Sequence, residues 1–152
     1  MRQNFIYGID VGWVSQLELQ GITWTDKYGN TVEPIQALKE MGATAVRLRV
    51  FVNPPESAVW QKPKKQAYGR EFGGEECMLG LCDSQNVLKM AQRVKNLDMD
   101  LMIDFHYSDH FADPIYQDIP QEWKALDQNG LKQKVREHTK EVLTLLTEHN
   151  IY

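Results

Sequence analysis

Three apolar stretches, at residues 5–11, 44–52 and 101–106, alternate with three segments of helical period, and this alternation limits the fold more than any other feature of the chain. The first, Phe5-Ile6-Tyr7-Gly8-Ile9-Asp10-Val11, reads as a short buried strand that ends on a carboxylate. The second runs from Thr44 to Val52 and stops at Asn53-Pro54-Pro55, because proline cannot continue a ladder. The third is Leu101-Met102-Ile103-Asp104-Phe105-His106. Residues 32–41 carry Ile35, Leu38 and Met41 at helical spacing, with Pro34 suited to a first turn and Gly42 to the stop. Asp83-Ser84 caps a second helix that buries Val87, Leu88, Ala91 and Val94 and ends near Leu97. A third helix spans residues 131–149, with Val135, Val142, Leu145 and Leu146 on one side. Residues 21–31 and 107–123 read as loops, and residues 56–81 as a long irregular stretch of the kind that is functional or disordered.

The order βαβαβα predicts an α/β fold with a parallel sheet and crossover helices. The unit recurs roughly every 45 residues, the span of a strand, its helix and their loops, without an alignable sequence repeat. An open doubly wound sheet and a closed (β/α)8 barrel both fit. The first βα turn, Asp10-Val11-Gly12-Trp13, lacks Gly-x-Gly-x-x-Gly, which argues against a nucleotide-binding open sheet.

The 152 residues fit one domain, and 42% hydrophobic with 25% charged residues is a globular composition. A net charge of −4 gives no electrostatic footprint for nucleic acid. No apolar run reaches the roughly 18 residues of a membrane span. The apolar start at residues 5–9 is too short for a signal-peptide core, so no signal peptide is expected in this chain. Cys77 and Cys82 lie in a Gly-rich segment and read as free thiols or a small-loop disulfide; a zinc site would need further ligands that no second Cys pair or nearby His supplies. Lys62-Pro63-Lys64-Lys65 reads as a solvated face rather than an acid-binding patch.

Polar residues gather where the strands end: Asp10; Arg47, Arg49 and Asn53; then Asp104, His106, Tyr107, Ser108, Asp109 and His110. In a barrel these ends form the active-site face. Arg47 and Arg49 share one strand face, opposite Val46, Leu48 and Val50. Arg47 reads as a partner in an interior salt bridge, and Arg49, nearer the strand end, as a substrate-side group able to keep a carboxylate ionised. Asp104 and His106 share a face; His106 reaches the rim, and Asp104 orients its neighbours. For His110 and Asp113, solvation or capping weighs as much as a site role. Among the loop aromatics, Trp13 and Trp60, with Tyr107 third, are the expected stacking platforms for the apolar faces of sugar rings.

These residues also carry a resemblance. Gly8-Ile9-Asp10-Val11-Gly12-Trp13, Arg47-Leu48-Arg49-Val50-Phe51-Val52-Asn53-Pro54, Gly80-Leu81-Cys82-Asp83 and Met102-Ile103-Asp104-Phe105-His106-Tyr107-Ser108-Asp109 resemble glycoside hydrolase family 53, and Ala112-Asp113-Pro114 and Pro120-Gln121-Glu122-Trp123 continue the match. The resemblance implies a (β/α)8 TIM barrel of which residues 1–152 are the N-terminal part of a single catalytic domain, with strands four to eight missing. It implies retaining endo-hydrolysis of β-1,4-galactan or arabinogalactan, the side chains of pectin, and an extracellular or periplasmic location. The two catalytic glutamates would end strands four and seven, beyond Tyr152. Glu18, Glu33, Glu56, Glu122 and Glu148 sit on loops or helices and are not substitutes. By carry-over Arg49 supports the nucleophile, and His106 and Asp109 bind near the cleavage point, with Asp10, Trp13 and Asn53 as weaker members. No cofactor and no metal is expected within these residues. Three strands cannot close a barrel, so the segment alone is expected to be inactive and to self-associate through its open edge.

Two rival readings stand beside this one. Asp104-x-His106-x-x-Asp109-His110 offers ligands for a metal-dependent TIM-barrel hydrolase. A non-catalytic carbohydrate-binding fragment would use the same aromatic and polar rim without the glutamates.

Overall fold

A strand buried on one side and polar on the other must alternate, and the second apolar stretch does so from Val46 to Val50. In the computed structural model, which describes residues 5–151, it forms the central strand β4 (Ala45–Val50). β4 lies between β1 (Gly8–Asp10) and β9 (Asp100–Phe105) in a parallel sheet of order β1-β4-β9. Val46, Leu48 and Val50 point into the helical layer and are 0%, 2% and 0% exposed, while Arg47 and Arg49 take the opposite face.

The helices cover that apolar face. α1 (Val14–Leu19) follows β1, α2 (Pro34–Glu40) precedes β4, α3 (Ser84–Asn96) precedes β9 and α4 (Gln128–Glu148) follows it. Ile35 of α2, Val87, Ala91 and Val94 of α3, and Val142 and Leu146 of α4 join Val46, Leu48 and Val50 in one core. Each such side chain contributes about 1.5–3 kcal/mol by leaving water. The N-termini are set by side-chain caps: Glu33 accepts from the Gln36 amide, Asp83 from Gln85 and Asn86, and Asp127 from Gly130. Three parallel strands, each crossing to the next through a helix packed on the same face, form a βαβαβα unit of the kind that builds a (β/α)8 barrel.

The structure adds short elements in stretches expected to be irregular. α1 spans only 6 residues and follows a β1 of 3 residues, shorter than the apolar stretch that marks it. Residues 21–31 contain the hairpin β2 (Trp24–Thr25) and β3 (Thr31–Val32), turned by Asp26, whose carboxylate accepts from the amides of Tyr28 and Asn30. Residues 56–81 are an ordered excursion rather than a structureless loop. β5 (Val59–Gln61) pairs with β8 (Glu76–Met78), and nested within them β6 (Lys65–Ala67) pairs with β7 (Arg70–Phe72). Tyr68 and Gly69 both have positive φ, at 49° and 74°, the combination that a tight two-residue hairpin turn requires. The lysines here face carboxylates: Lys62 meets Glu75, Lys64 meets Glu71 and Lys65 meets Asp118. Cys77 and Cys82 are free, the first half-buried and the second buried. Among the described residues, no helix is long and apolar enough to cross a membrane. The expectations for Met1–Asn4 and Tyr152 lie outside the described residues.

Candidate functional site

Parallel pairing fixes the site. The register sets Asp10 beside Arg47 and Arg49 beside Asp104, so charged groups from three strands meet on the face opposite the helices. Asp10 Oδ2 lies 3.3 Å from Arg47 Nη1, and its Oδ1 lies 3.3 Å from Arg49 Nη2 while accepting the Gly12 amide at 3.0 Å. Arg47 Nε donates to Asp104 Oδ2 at 3.1 Å, and Nη2 donates to the same oxygen. Two cations thus face two anions, and no net charge is confined in the cleft.

His106 extends this network. Its Nδ1 accepts the Ala112 amide at 3.1 Å, so the ring proton sits on Nε2, which lies 3.1 Å from Asp104 Oδ2 and donates to it. Burial pushes the His106 pKa down, against the pull of Asp104, and the charges of Arg49 and Arg47 add to the fall. The imidazole is therefore neutral at pH 7. Burial alone would raise the Asp104 pKa, but the Arg47 hydrogen bond and the neighbouring His106 and Arg47 charges outweigh it and hold the carboxyl below its ordinary value. The site presents an ionised carboxylate, a neutral imidazole of fixed tautomer and two guanidinium groups, a set suited to hydroxyl-rich neutral ligands.

The arginines divide their work in a way that strand position did not foretell. Arg47 is the open one, with 42% of its side chain exposed, and Arg49 is enclosed, at 6%. Arg49 is capped by two rings: its Cζ lies 4.0 Å from the Trp13 centroid and 4.8 Å from that of Phe111. A desolvated stack of this kind is worth about 2 kcal/mol. Its Nε and Nη2 are buried without a hydrogen-bond partner, since the contact to Asp10 has ion-pair distance but not hydrogen-bond geometry. Beneath it, burial pushes the Cys82 thiol up to about 11, partly offset by the Arg49 charge.

The remaining expected residues fall in several places. Trp13, expected as a platform for sugar, has Arg49 over its ring instead, and its Nε1 donates to the Met78 carbonyl at 2.8 Å, tying the excursion to the rim. Trp60 lies flat on His110, with centroids 3.7 Å apart, so one of its faces is already covered. Tyr107 points the other way. It shares strand parity with Phe105, stacks on that ring, and its hydroxyl meets Thr139 of α4 at 2.9 Å, so it belongs to the helix side and not to the cleft. Both oxygens of Asp109 are taken by backbone amides, Asn53 at 3.1 Å and Gln121 at 2.8 Å, and the Asn53 side chain donates to Glu122. These residues hold the rim together. Asp113 caps a turn through the amides of Ile115 and Tyr116.

The sequence gives no sign of the roles of Asp118 and Gln16, and Phe111 is only one of several loop aromatics. Gln16, 5% exposed, donates to the Ala58 carbonyl and accepts from the Gly80 amide, pinning both ends of the excursion. A glutamine on a six-residue helix gives no periodic signal of such a role. The ligand set Asp104, His106, Asp109 and His110 does not converge: His110 contacts Asp118 and Trp60, and Asp109 its two amides. Among the described residues no group of three or more His, Cys, Asp or Glu side chains is placed to hold a metal ion.

Known proteins resemble this chain over nearly its whole length. The endo-beta-1,4-galactanase of Bacillus subtilis is 31% identical over 151 residues, which cover 99% of this chain and 32% of that protein. The arabinogalactan endo-beta-1,4-galactanase of Cellvibrio japonicus is 30% identical, over 97% of this chain and 33% of its own. The chain therefore spans about a third of the length of these curated relatives. The solved GH53 catalytic domain of Ignisphaera aggregans superposes with a TM-score of 0.78 at 30% identity, covering 99% of this chain and 38% of that one. A structure from a study of two fungal beta-1,4-galactanases gives 0.76 at 27% identity, over 96% of this chain and 37% of its own. The profile of glycosyl hydrolase family 53 matches residues 6–152, and the chain belongs to that family.

Proposed function

We propose that these residues form the N-terminal part of one catalytic barrel that hydrolyses β-1,4-galactosidic bonds in galactan or arabinogalactan, acting within the chain and with retention of configuration. The observation that carries this reading is the charge-balanced set of Asp10, Arg47, Arg49, Asp104 and neutral His106 at the C-terminal ends of three parallel strands, with Trp13 against Arg49. Such a set binds sugar hydroxyls without demanding a charged ligand. The names of the relatives supply the substrate class. Arg49, held between two rings with buried donors that make no hydrogen bond, is suited to fix and ionise a carboxylate brought in by another strand. Retention needs two carboxyl groups about 5–5.5 Å apart across the bond. By family resemblance these are glutamates ending strands four and seven, outside residues 1–152. A polymer of plant cell walls is met outside the cell, which places the enzyme in an extracellular or periplasmic setting.

The same reading explains an apolar groove of about 860 Å³ beside β9, lined by Leu101, Ile103 and Phe105 and by Leu143, Leu146 and Ile151. Barrel strands pack on such a face, so residues 1–152 produced alone would self-associate through it. The test of function is proton NMR of β-1,4-galactan treated with the full-length protein. Release of oligosaccharides with the β anomer appearing first supports the proposal. Binding without cleavage would instead favour the carbohydrate-binding reading, and α-anomer release would exclude retention.

A further inference from the structure

Beside the strand-end cluster lies a second cavity, of about 290 Å³, between the excursion and the loop after β9. It falls just short of the range for drug-sized sites, roughly 300–1,000 Å³. The two sites share a short piece of backbone. His106 belongs to the strand-end cluster and Ser108 lines the cavity; His110 lines the cavity and Phe111 covers Arg49.

The walls have the mixed character that a sugar ring needs. One wall is the Trp60–His110 stack, with interplanar angle 4°. His110 is anchored by Asp118, 3.3 Å away, and Asp118 in turn by Lys65 at 3.1 Å. Lys124 and Gln121 stand at another side, joined at 2.7 Å. Ser108, 2% exposed, is the built-in polar group: its hydroxyl is buried and has no hydrogen-bond partner. A buried hydroxyl left unpaired is costly, and a ligand hydroxyl would satisfy it as donor or acceptor. Asp118 is paired by Lys65, both Asp109 oxygens accept backbone amides and Lys124 adds a positive charge to the wall, so neither an anion nor a cation is favoured.

We propose that this cavity is a subsite for one pyranose unit of a neutral sugar chain whose other units lie along the strand-end cluster. The inference rests on the galactan reading above. It assigns His110 and Asp118 a binding role and makes the excursion, not the barrel strands, the element that sets preference for longer chains.

The test is calorimetric titration of the full-length protein with β-1,4-linked galacto-oligosaccharides of two to six units. Wild-type protein should gain affinity at the length that first reaches the cavity. Ile119→Trp places bulk at the cavity wall from a residue 44% exposed, without removing a side-chain hydrogen bond. It should abolish that gain, a loss of about tenfold for the longer chains, the scale of one or two hydrogen bonds, and leave shorter chains unaffected. Lys124→Ala, an exposed truncation, should reduce the gain about threefold by removing part of one polar contact, and it stands as the second readout if the tryptophan variant does not fold. Length dependence that both variants preserve would overturn the subsite and leave the galactan reading intact. Equal weakening at every length would also overturn it, because only chains that reach the cavity should respond. Absence of binding by the wild-type protein would overturn both.

Discussion

Gly12 is the position where the chain's smallest residue protects its most enclosed cation. A Cβ added there would overlap Arg49 Nη2 and lie 3.0 Å from its Cζ and Nε, and Arg49 supplies all three of the nearest atoms. Gly12 does not occupy the left-handed region, so alanine is barred by the neighbour and not by the backbone. Forcing the guanidinium aside costs about 1–3 kcal/mol as overpacking and up to about 2 kcal/mol of ring stacking. Against this, replacing glycine stabilises by about 0.4–1 kcal/mol through the unfolded chain. Gly12→Ala should therefore destabilise by about 2–3 kcal/mol, the midpoint of those opposing ranges. In an Arg49→Ala background the obstructing atoms are gone, and the same substitution should stabilise by about 0.5 kcal/mol. Equilibrium urea unfolding of the four proteins of the cycle, in the full-length context, measures both values. Equal cost in both backgrounds would refute the claim that Arg49 is locked against Gly12.

Further outcomes follow from the same geometry. Burial holds both His106 and His138 below the ordinary histidine value of 6.5. The unfolded chain then binds more protons as pH falls through that value, so stability should drop on acidification from about pH 6.5; unfolding midpoints at pH 7 and 5.5 check the sign. Asp104→Asn removes the charge that supports protonation of His106, and NMR titration should show the imidazole pKa falling further. Cys82, buried with its thiol at about 11, should react with a disulfide reagent far more slowly than half-buried Cys77, and both should react once the chain is unfolded. Tyr107→Phe removes the hydroxyl contact to Thr139 and should cost about 1 kcal/mol of stability with galacto-oligosaccharide affinity unchanged, as a calorimetric titration would show.

The parts of the fold that repeat were legible in the sequence. Val46, Leu48 and Val50 alternate with Arg47 and Arg49, and that alternation both defined β4 and sorted its faces. Asp104 and His106 were paired correctly on one face for the same reason. Counting one residue further in either direction puts Phe105 and Tyr107 on the helix side, so the orientation of Tyr107 was available from parity; its aromatic character drew it to the cleft instead. What was not legible lacks a period. Strands of two or three residues, as in β2, β3 and β5 to β8, are too short to show alternation. The burial of Arg49 was hidden because Trp13 and Phe111 come from loops nearly a hundred residues apart (positions 13 and 111) and meet only when the sheet forms. Asp109 looked like a ligand-binding carboxylate, and its partners turned out to be backbone amides that carry no sequence signature.

The most direct test of the central claim is a crystal structure of the full-length protein with a bound β-1,4-galacto-oligosaccharide. The account predicts sugar hydroxyls within hydrogen-bond distance of the Asp10–Arg47–Asp104–His106 cluster and no sugar contact from Tyr107. An oligosaccharide seated elsewhere, with that cluster closed to it, would contradict the assignment of these strand ends as the substrate-binding face.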